Sequence, residues 1–192
     1  MSTSDLTPTV VLVHGAFVDA SSWNGVIAEL KAAGLDVVAP PNLLRGVGVD
    51  AAYLTGFVEA LGRRVVLVAH SYAGAVISQT GSDASNVAGL VYVAAYAPEA
   101  GETLGAINAR YPDVPLSAAA FATADSGTPA WQRLPSWAVV ATADHAIHPQ
   151  AERDMAKRAG SETTEINASH AVPATHPADV AAVIARAVKA IR

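Results

Sequence analysis

The residue in this sequence best placed to act as a nucleophile is Ser71, within Ala69-His70-Ser71-Tyr72-Ala73-Gly74. It stands where an apolar run, Val65 to Ala69, gives way to a helical stretch, with small side chains two residues away on either side. Such a turn forces the serine into strained backbone angles that lift its hydroxyl clear of the sheet. Only small neighbours let strand and helix pass that closely, and this arrangement is the nucleophile elbow. An activated serine needs a base to take its proton, and the base needs a carboxylate to orient it. His170, in Asn167-Ala-Ser-His-Ala171, and Asp144, closing Trp137-Ala-Val-Val-Ala-Thr-Ala-Asp144, can supply them. The chemistry of such a set is acyl transfer through a covalent intermediate. Competing readings stand beside it. Ser71 also fits a helix cap, Glu99 or Glu102 could orient the same histidine, and His176 is a second base, although it precedes Pro177 and reads as the residue opening a helix. His145 and His148 flank Asp144 but match no familiar ligand spacing, so no metal is expected.

The elements that must position these residues alternate along the chain. Thr9 to Val13 is a continuous apolar run, as in a strand buried on both faces. Trp23, Val26, Ile27 and Leu30 then fall on one helical stripe, with Ser21 or Ser22 as cap and Gly34 closing the helix. Leu35 to Ala39 is a second strand stopped by Pro40 and Pro41. A helix from about Asp50 carries Leu54, Phe57, Val58 and Leu61 before Gly62. Further strands are predicted at Val65 to Ala69, Val87 to Ala95, Trp137 to Thr142 and, as a more exposed edge, Glu162 to Asn167. Helices are predicted over Ala73 to Thr80 and Pro149 to Ala159, and at the C-terminus, where Val180, Val183, Ile184, Ala187, Val188 and Ile191 share a face. This rhythm predicts an α/β fold of about six mostly parallel strands with helices on both faces, formed by a single domain over residues 1–192. Ligands in such sheets bind beyond the carboxyl ends of the strands. Glu99 to Pro135 breaks the rhythm and reads as an irregular excursion over that edge, with a short helix near Leu116 to Ala122.

With these positions assigned, the sequence resembles the α/β-hydrolase superfamily. Its elbow departs from the usual Gly-x-Ser-x-Gly in having Ala69 and Ala73. The order serine, acid, histidine in that superfamily implies Asp144 as the acid and His170 as the base, with room between them for one loop, one helix and one strand. The resemblance also implies two oxyanion donors. They would be the backbone N–H of Tyr72 and, in His14-Gly15-Ala16-Phe17, that of Ala16, with Phe17 the alternative; His14 reads as a brace for this loop. His14-Gly15-Ala16 followed by Trp23, the spacing to Leu30 and Gly34, the stretch Pro40 to Gly46, Pro135-Ser-Trp137, Asp144 and Ser169-His170-Ala171 are similar to the esterase-like branch related to plant methylesterases and hydroxynitrile lyases. That likeness spans most of the chain. Members of the branch usually carry a helical cap where this chain has only 99–135, which implies a minimal or absent cap and an open site. Hydroxynitrile lyases place a lysine after the catalytic histidine, whereas this chain has Ala171, which disfavours lyase activity. Phe17, Leu104 and Trp131 are expected to line the substrate pocket.

Composition removes whole classes of function. The chain has 192 residues, 52% hydrophobic and 15% charged, enough to bury about 70% of its surface on folding and to exclude wholesale disorder. With 12 Lys+Arg against 17 Asp+Glu the net charge is −5, which gives no basic face for nucleic acid or anionic lipid. Zero Cys removes disulfides, thiolate metal sites and cysteine nucleophiles. The start of the chain lacks a basic segment followed by an apolar one, and no run approaches a membrane span, so a soluble cytoplasmic protein is expected. The expected activity is hydrolysis of small carboxylic esters or lactones by a serine hydrolase without a cofactor, acting on a small-molecule ester. The alternatives are a perhydrolase, haloperoxidase-like or hydroxynitrile-lyase-like enzyme on the same triad, and a non-catalytic protein that binds a small ligand on the same scaffold.

Overall fold

The apolar runs become strands because their alternate residues face two separate helical layers. A computed structural model of the protein describes residues 7–111 and 127–192. Its sheet comprises β1 (Thr9–Val13), β2 (Val37–Val38), β3 (Val65–Ser71), β4 (Val87–Ala95), β5 (Ser136–Ala141) and β6 (Glu162–Ile166). The helices are α1 (Asn24–Ala32), α2 (Val47–Ala60), α3 (Ala73–Asp83), α4 (Leu104–Asn108), α5 (Pro149–Arg158), α6 (Val172–Thr175) and α7 (Pro177–Ile191). Val10, Leu12, Val66, Val68, Val91 and Val93 pack with Val26, Leu30, Val180 and Ile184 of α1 and α7. Val11, Val13, Leu67, Ala69 and Tyr92 face the other way, onto Leu54, Val58, Val76, Ile77 and Met155 of α2, α3 and α5. A strand with no polar face has no choice but to lie between two layers.

All strand pairs are parallel, in the order β2-β1-β3-β4-β5-β6. The chain steps from β1 out to β2 and then crosses back to β3, so the direction of winding reverses between β1 and β3. At such a reversal the loops leaving the two strands turn apart and leave a crevice at the carboxyl edge. The loop after β1 and the turn after β3 therefore meet there. A methyl group placed on Gly15 would lie 2.9 Å from the Ser71 Cβ, so the absence of a side chain at Gly15 is what allows that contact.

Several local details differ from expectation. The first helix is preceded by a 3₁₀ turn, Ala20–Trp23, and its cap is Asp19, whose side chain accepts from the Ser21 N–H. Ser22 Oγ instead donates back to the Asp19 carbonyl at 2.7 Å, so the serines serve the cap without being it. β2 is only two residues long because the edge strand meets Pro40, whose missing N–H ends the ladder. α2 begins a turn earlier than expected, at Val47, and puts Asp50 in its first turn, where a carboxylate is favoured by the helix dipole. The single turn α6 between β6 and α7 carries no sequence signal longer than Pro173. β6 is the exposed edge that the polar Glu162 to Glu165 run predicts. The helix expected near Leu116 to Ala122 lies outside the described residues. No helix among the described residues is long and apolar enough to cross a membrane.

Candidate active site

Ser71 ends β3 with a φ of 58°, a left-handed conformation that L-residues adopt only at a cost of order 1–3 kcal/mol. The neighbouring strand yields to it. The register between β3 and β4 shifts between His70 and Ser71, Ala94 opposite also has a positive φ of 43°, and the Tyr96 N–H bonds to the Ser71 carbonyl at 3.2 Å. The close approach of α3 to β4 is tightest at Gly74, where a Cβ would sit 2.1 Å from the Tyr96 carbonyl oxygen. The glycine that this elbow cannot do without is thus Gly74, and the flanking positions tolerate Ala69 and Ala73, both fully buried.

Two distant residues converge on this turn. The His170 ring accepts at Nε2 from the Ser71 hydroxyl at 2.9 Å, and donates from Nδ1 to Asp144 Oδ2 at 2.6 Å. The second carboxylate oxygen, Asp144 Oδ1, accepts the backbone N–H groups of Ala146 and Ile147 at 2.6 and 3.0 Å. Burial of Asp144 opposes its ionisation, but the hydrogen bond and charge of His170, with the Ala146 N–H, outweigh that and hold its carboxyl below the usual aspartate range. Asp144 follows β5 and His170 follows β6, so the order of neighbouring strands brings both to the rim beside the elbow.

The rival residues are engaged elsewhere. Glu102 Oε2 accepts from Arg158 at 2.8 Å and Oε1 pairs with Arg110 at 2.7 Å, while Glu99 lies 3.6 Å from Arg158. His176 Nδ1 is 2.9 Å from Thr175 Oγ1, and His148 caps α5 by accepting from the Gln150 N–H at 3.1 Å. Among the described residues no group of three or more potential ligands could hold a metal ion.

The loop after β1 is built as a brace. His14 Nδ1 donates to the Gly15 carbonyl at 2.9 Å, its Nε2 accepts the Asn42 N–H at 2.9 Å, and Asn42 returns a bond to the His14 carbonyl at 3.0 Å. With Gly15 pressed against the elbow, Ala16 and Phe17 are carried to the edge of a cavity of about 290 Å³ that opens onto Ser71. Phe17, at a φ of 64°, is 81% exposed on its rim. Tyr72, next to the serine, sits at the start of α3 and donates its hydroxyl to Asp50 Oδ2 at 2.7 Å, while Asp50 Oδ1 accepts the Arg45 N–H at 2.9 Å. Burial and the Asp50 partner both push the Tyr72 hydroxyl well above its usual range, so it remains a donor. Leu104 and Trp131 do not meet the expectation of a pocket lining. Both are buried in the core layer of α3, and the Trp131 ring N–H donates to the Pro98 carbonyl at 3.1 Å.

Three residues that matter to this site escaped the reading of the sequence. His70 is buried one step before Ser71 and donates from Nε2 to the His170 carbonyl at 2.8 Å, its ring lying 4.6 Å from that of His170. It ties the strand bearing Ser71 to the loop bearing His170. Its signal was an imidazole inside an otherwise apolar strand. Glu152 accepts the Ala141 N–H at 3.0 Å from within the buried face of α5. Burial, and then the charge of Asp144, raise its carboxyl well above the usual glutamate range. Its signal was a charged residue on the stripe of Ala151, Met155 and Ala156. Asp50 was read as a helix start, and its partner Tyr72 gave no hint of the link.

The burial of His70, with repulsion from His170, pulls its imidazole down to about 4. The unfolded chain therefore takes up a proton near pH 6.5 that the folded chain refuses until about 4. The stabilisation from keeping this ring neutral is complete above 6.5 and is lost as the pH falls from 6.5 toward 4. The loss is on the order of 3 kcal/mol at most. Urea unfolding midpoints measured across that range will fall for the natural chain and much less for His70→Gln, which keeps an N–H donor without a titrating ring; equal falls would show that His70 is not responsible.

A model of the alpha/beta hydrolase family matches residues 10–127 of the 192. The chain belongs to the alpha/beta hydrolase family. Among solved structures, this alpha/beta hydrolase is similar to a pyrethroid hydrolase from Sphingobium faniae JZ-2, at 20% identity and a TM-score of 0.76, over 95% of this chain and 98% of that one. It is also similar to an extracellular alpha/beta-hydrolase from a Paenibacillus species, at 16% identity and a TM-score of 0.74, over 94% and 98% of the two chains. A thermophilic esterase from Thermogutta terrifontis matches at 18% identity and a TM-score of 0.68, over 96% and 92%. At such identities the likeness is one of fold. No curated protein matches the chain.

Proposed function

We propose that this alpha/beta hydrolase is a serine esterase that cleaves small carboxylic esters or lactones through an acyl-enzyme, with Ser71 as nucleophile, His170 as general base and Asp144 as the orienting acid. The observation that supports this reading most strongly is the unbroken relay from Asp144 Oδ2 through both nitrogens of His170 to the Ser71 hydroxyl, at 2.6 and 2.9 Å. His170 removes the Ser71 proton as the oxygen attacks the ester carbonyl, and Asp144 stabilises the imidazolium that forms. The tetrahedral oxyanion is received by the backbone N–H groups of Tyr72 and Ala16, with Phe17 the alternative, and each such donor is typically worth about 10²–10³ in turnover. The intermediate collapses as His170 returns the proton to the departing alcohol. Water then repeats the sequence on the acyl-serine and regenerates the free hydroxyl. This chemistry needs no cofactor.

Incubation with a fluorophosphonate probe tests the reading directly, because only an activated serine reacts. The expected result is a single adduct on the peptide containing Ser71. A folded protein that takes up no label would favour the ligand-binding alternative over the enzyme.

A further inference from the structure

The cavity beside Ser71 is distinguished by what its walls lack. One wall is the loop after β1, with Ala16, Phe17 and Val18. The other is formed by Ala146 after β5 and by Ala171 and Ala174 around α6. The polar groups on it are Ser22, His70, Ser71 and His170, and no lysine, arginine, aspartate or glutamate is among the described residues that line it. The stretch 112–126 contains no lysine or arginine either, so no cation can come from there. His70 cannot supply a charge, because burial keeps it neutral down to about pH 4. The carboxylate nearest the serine, that of Asp144, has a side chain 0% exposed and is turned to the far side of the His170 ring.

A charge moved from water against walls of this kind finds no lysine, arginine, aspartate or glutamate among the described lining residues, and little of its lost hydration is compensated. The net charge of −5 adds a long-range repulsion for anions approaching the mouth. An uncharged apolar group meets neither cost and gains by covering Phe17 and Val18, which are 81% and 41% exposed.

The geometry points to uncharged esters with compact apolar substituents as the substrate class, with the Phe17–Val18 loop and the Ala146, Ala171 and Ala174 wall selecting against esters that carry a carboxylate on their acyl or alcohol part. This inference rests on the serine-esterase reading of the same site. Matched pairs test it: p-nitrophenyl butyrate against p-nitrophenyl hemisuccinate on the acyl side, and methyl 4-acetoxybenzoate against 4-acetoxybenzoate on the alcohol side. In at least one pair the neutral ester is expected to have a kcat/KM at least about a hundredfold higher, since an unpaired charge in an apolar site is strongly penalised. Val18→Arg and Ala174→Arg, both at exposed positions, are expected to narrow that ratio about tenfold or more by giving the carboxylate a partner.

Ratios within threefold in both pairs, or a ratio unmoved by either arginine, would overturn the selectivity while leaving the esterase reading intact. Should none of the esters turn over, the same comparison is made on the rate of Ser71 labelling by an alkyl fluorophosphonate and its ω-carboxyl counterpart. Faster labelling by the alkyl reagent supports the selectivity, and equal rates overturn it. No labelling by either reagent removes the esterase reading, and the substrate inference with it.

Discussion

Ser71→Ala is expected to lower the turnover of p-nitrophenyl butyrate by about 10⁵-fold or more, because the members of such a relay act as a unit and loss of the nucleophile removes the covalent route. What survives is the contribution of the oxyanion donors and of substrate binding, which the substitution leaves in place. The fold has little reason to change. Ser71 is buried at 7% exposure, its Cβ already packs against Gly15, and its carbonyl bond to the Tyr96 N–H belongs to the backbone. Alanine keeps that Cβ and the same strained φ, so the melting temperature is expected to stay within a few degrees of the natural chain. Non-additivity gives a sharper check: Ser71→Ala combined with His170→Ala is expected to be no worse than Ser71→Ala alone. Turnover within tenfold of the natural chain, in protein shown to be folded, would remove Ser71 from the chemistry.

A second large effect is expected for Asp144→Asn, a loss of about 10⁴-fold in kcat, and the reason is the proton on His170. Asp144 Oδ1 is committed to two backbone donors, the N–H groups of Ala146 and Ile147. An asparagine must keep its carbonyl oxygen there, since its amide nitrogen facing two donors would leave both unsatisfied. Its NH₂ group then faces His170 Nδ1, which can answer only as an acceptor. The ring proton moves to Nε2 and points at the Ser71 hydroxyl, so the base is occupied before it can act. Nitrogen NMR of the imidazole distinguishes the two tautomers, and the kinetic loss should accompany the change. A loss below tenfold, or an unchanged tautomer, would mean that Asp144 does not orient the base. In the natural chain the lowered Asp144 carboxyl contributes stability above the usual aspartate range, and that contribution disappears as the pH falls through its folded value.

Much of this architecture could be read from the order of residues because its signals are local. The runs around Val10, Val66 and Val91 are apolar at every position, and only a strand covered on both faces accommodates that pattern. The elbow was legible through small residues at fixed offsets from Ser71. Asp144 and His170 followed because each closes an apolar or strand-like run, and the ends of parallel strands share one edge. Caps and lengths were less legible. Asp19 and Ser22 compete for the same first turn, and which side chain wins depends on the path by which the loop arrives. β2 shrank to two residues because the chain meets Pro40, whose missing N–H ends the ladder.

The sequence by itself determined the class of fold and singled out Ser71 with Asp144 and His170 as candidates through spacing and periodicity, since each depends on interactions within one element or at its end. Only the tertiary structure decided that Leu104 and Trp131 turn into the core instead of the pocket, that His70 holds the loop of His170, and that Glu152 is buried where it accepts the Ala141 N–H. Those outcomes depend on which elements pack face to face across many intervening residues. A side chain facing its own helix or strand is recorded in the local pattern, whereas its partner across the sheet is chosen by how the layers close.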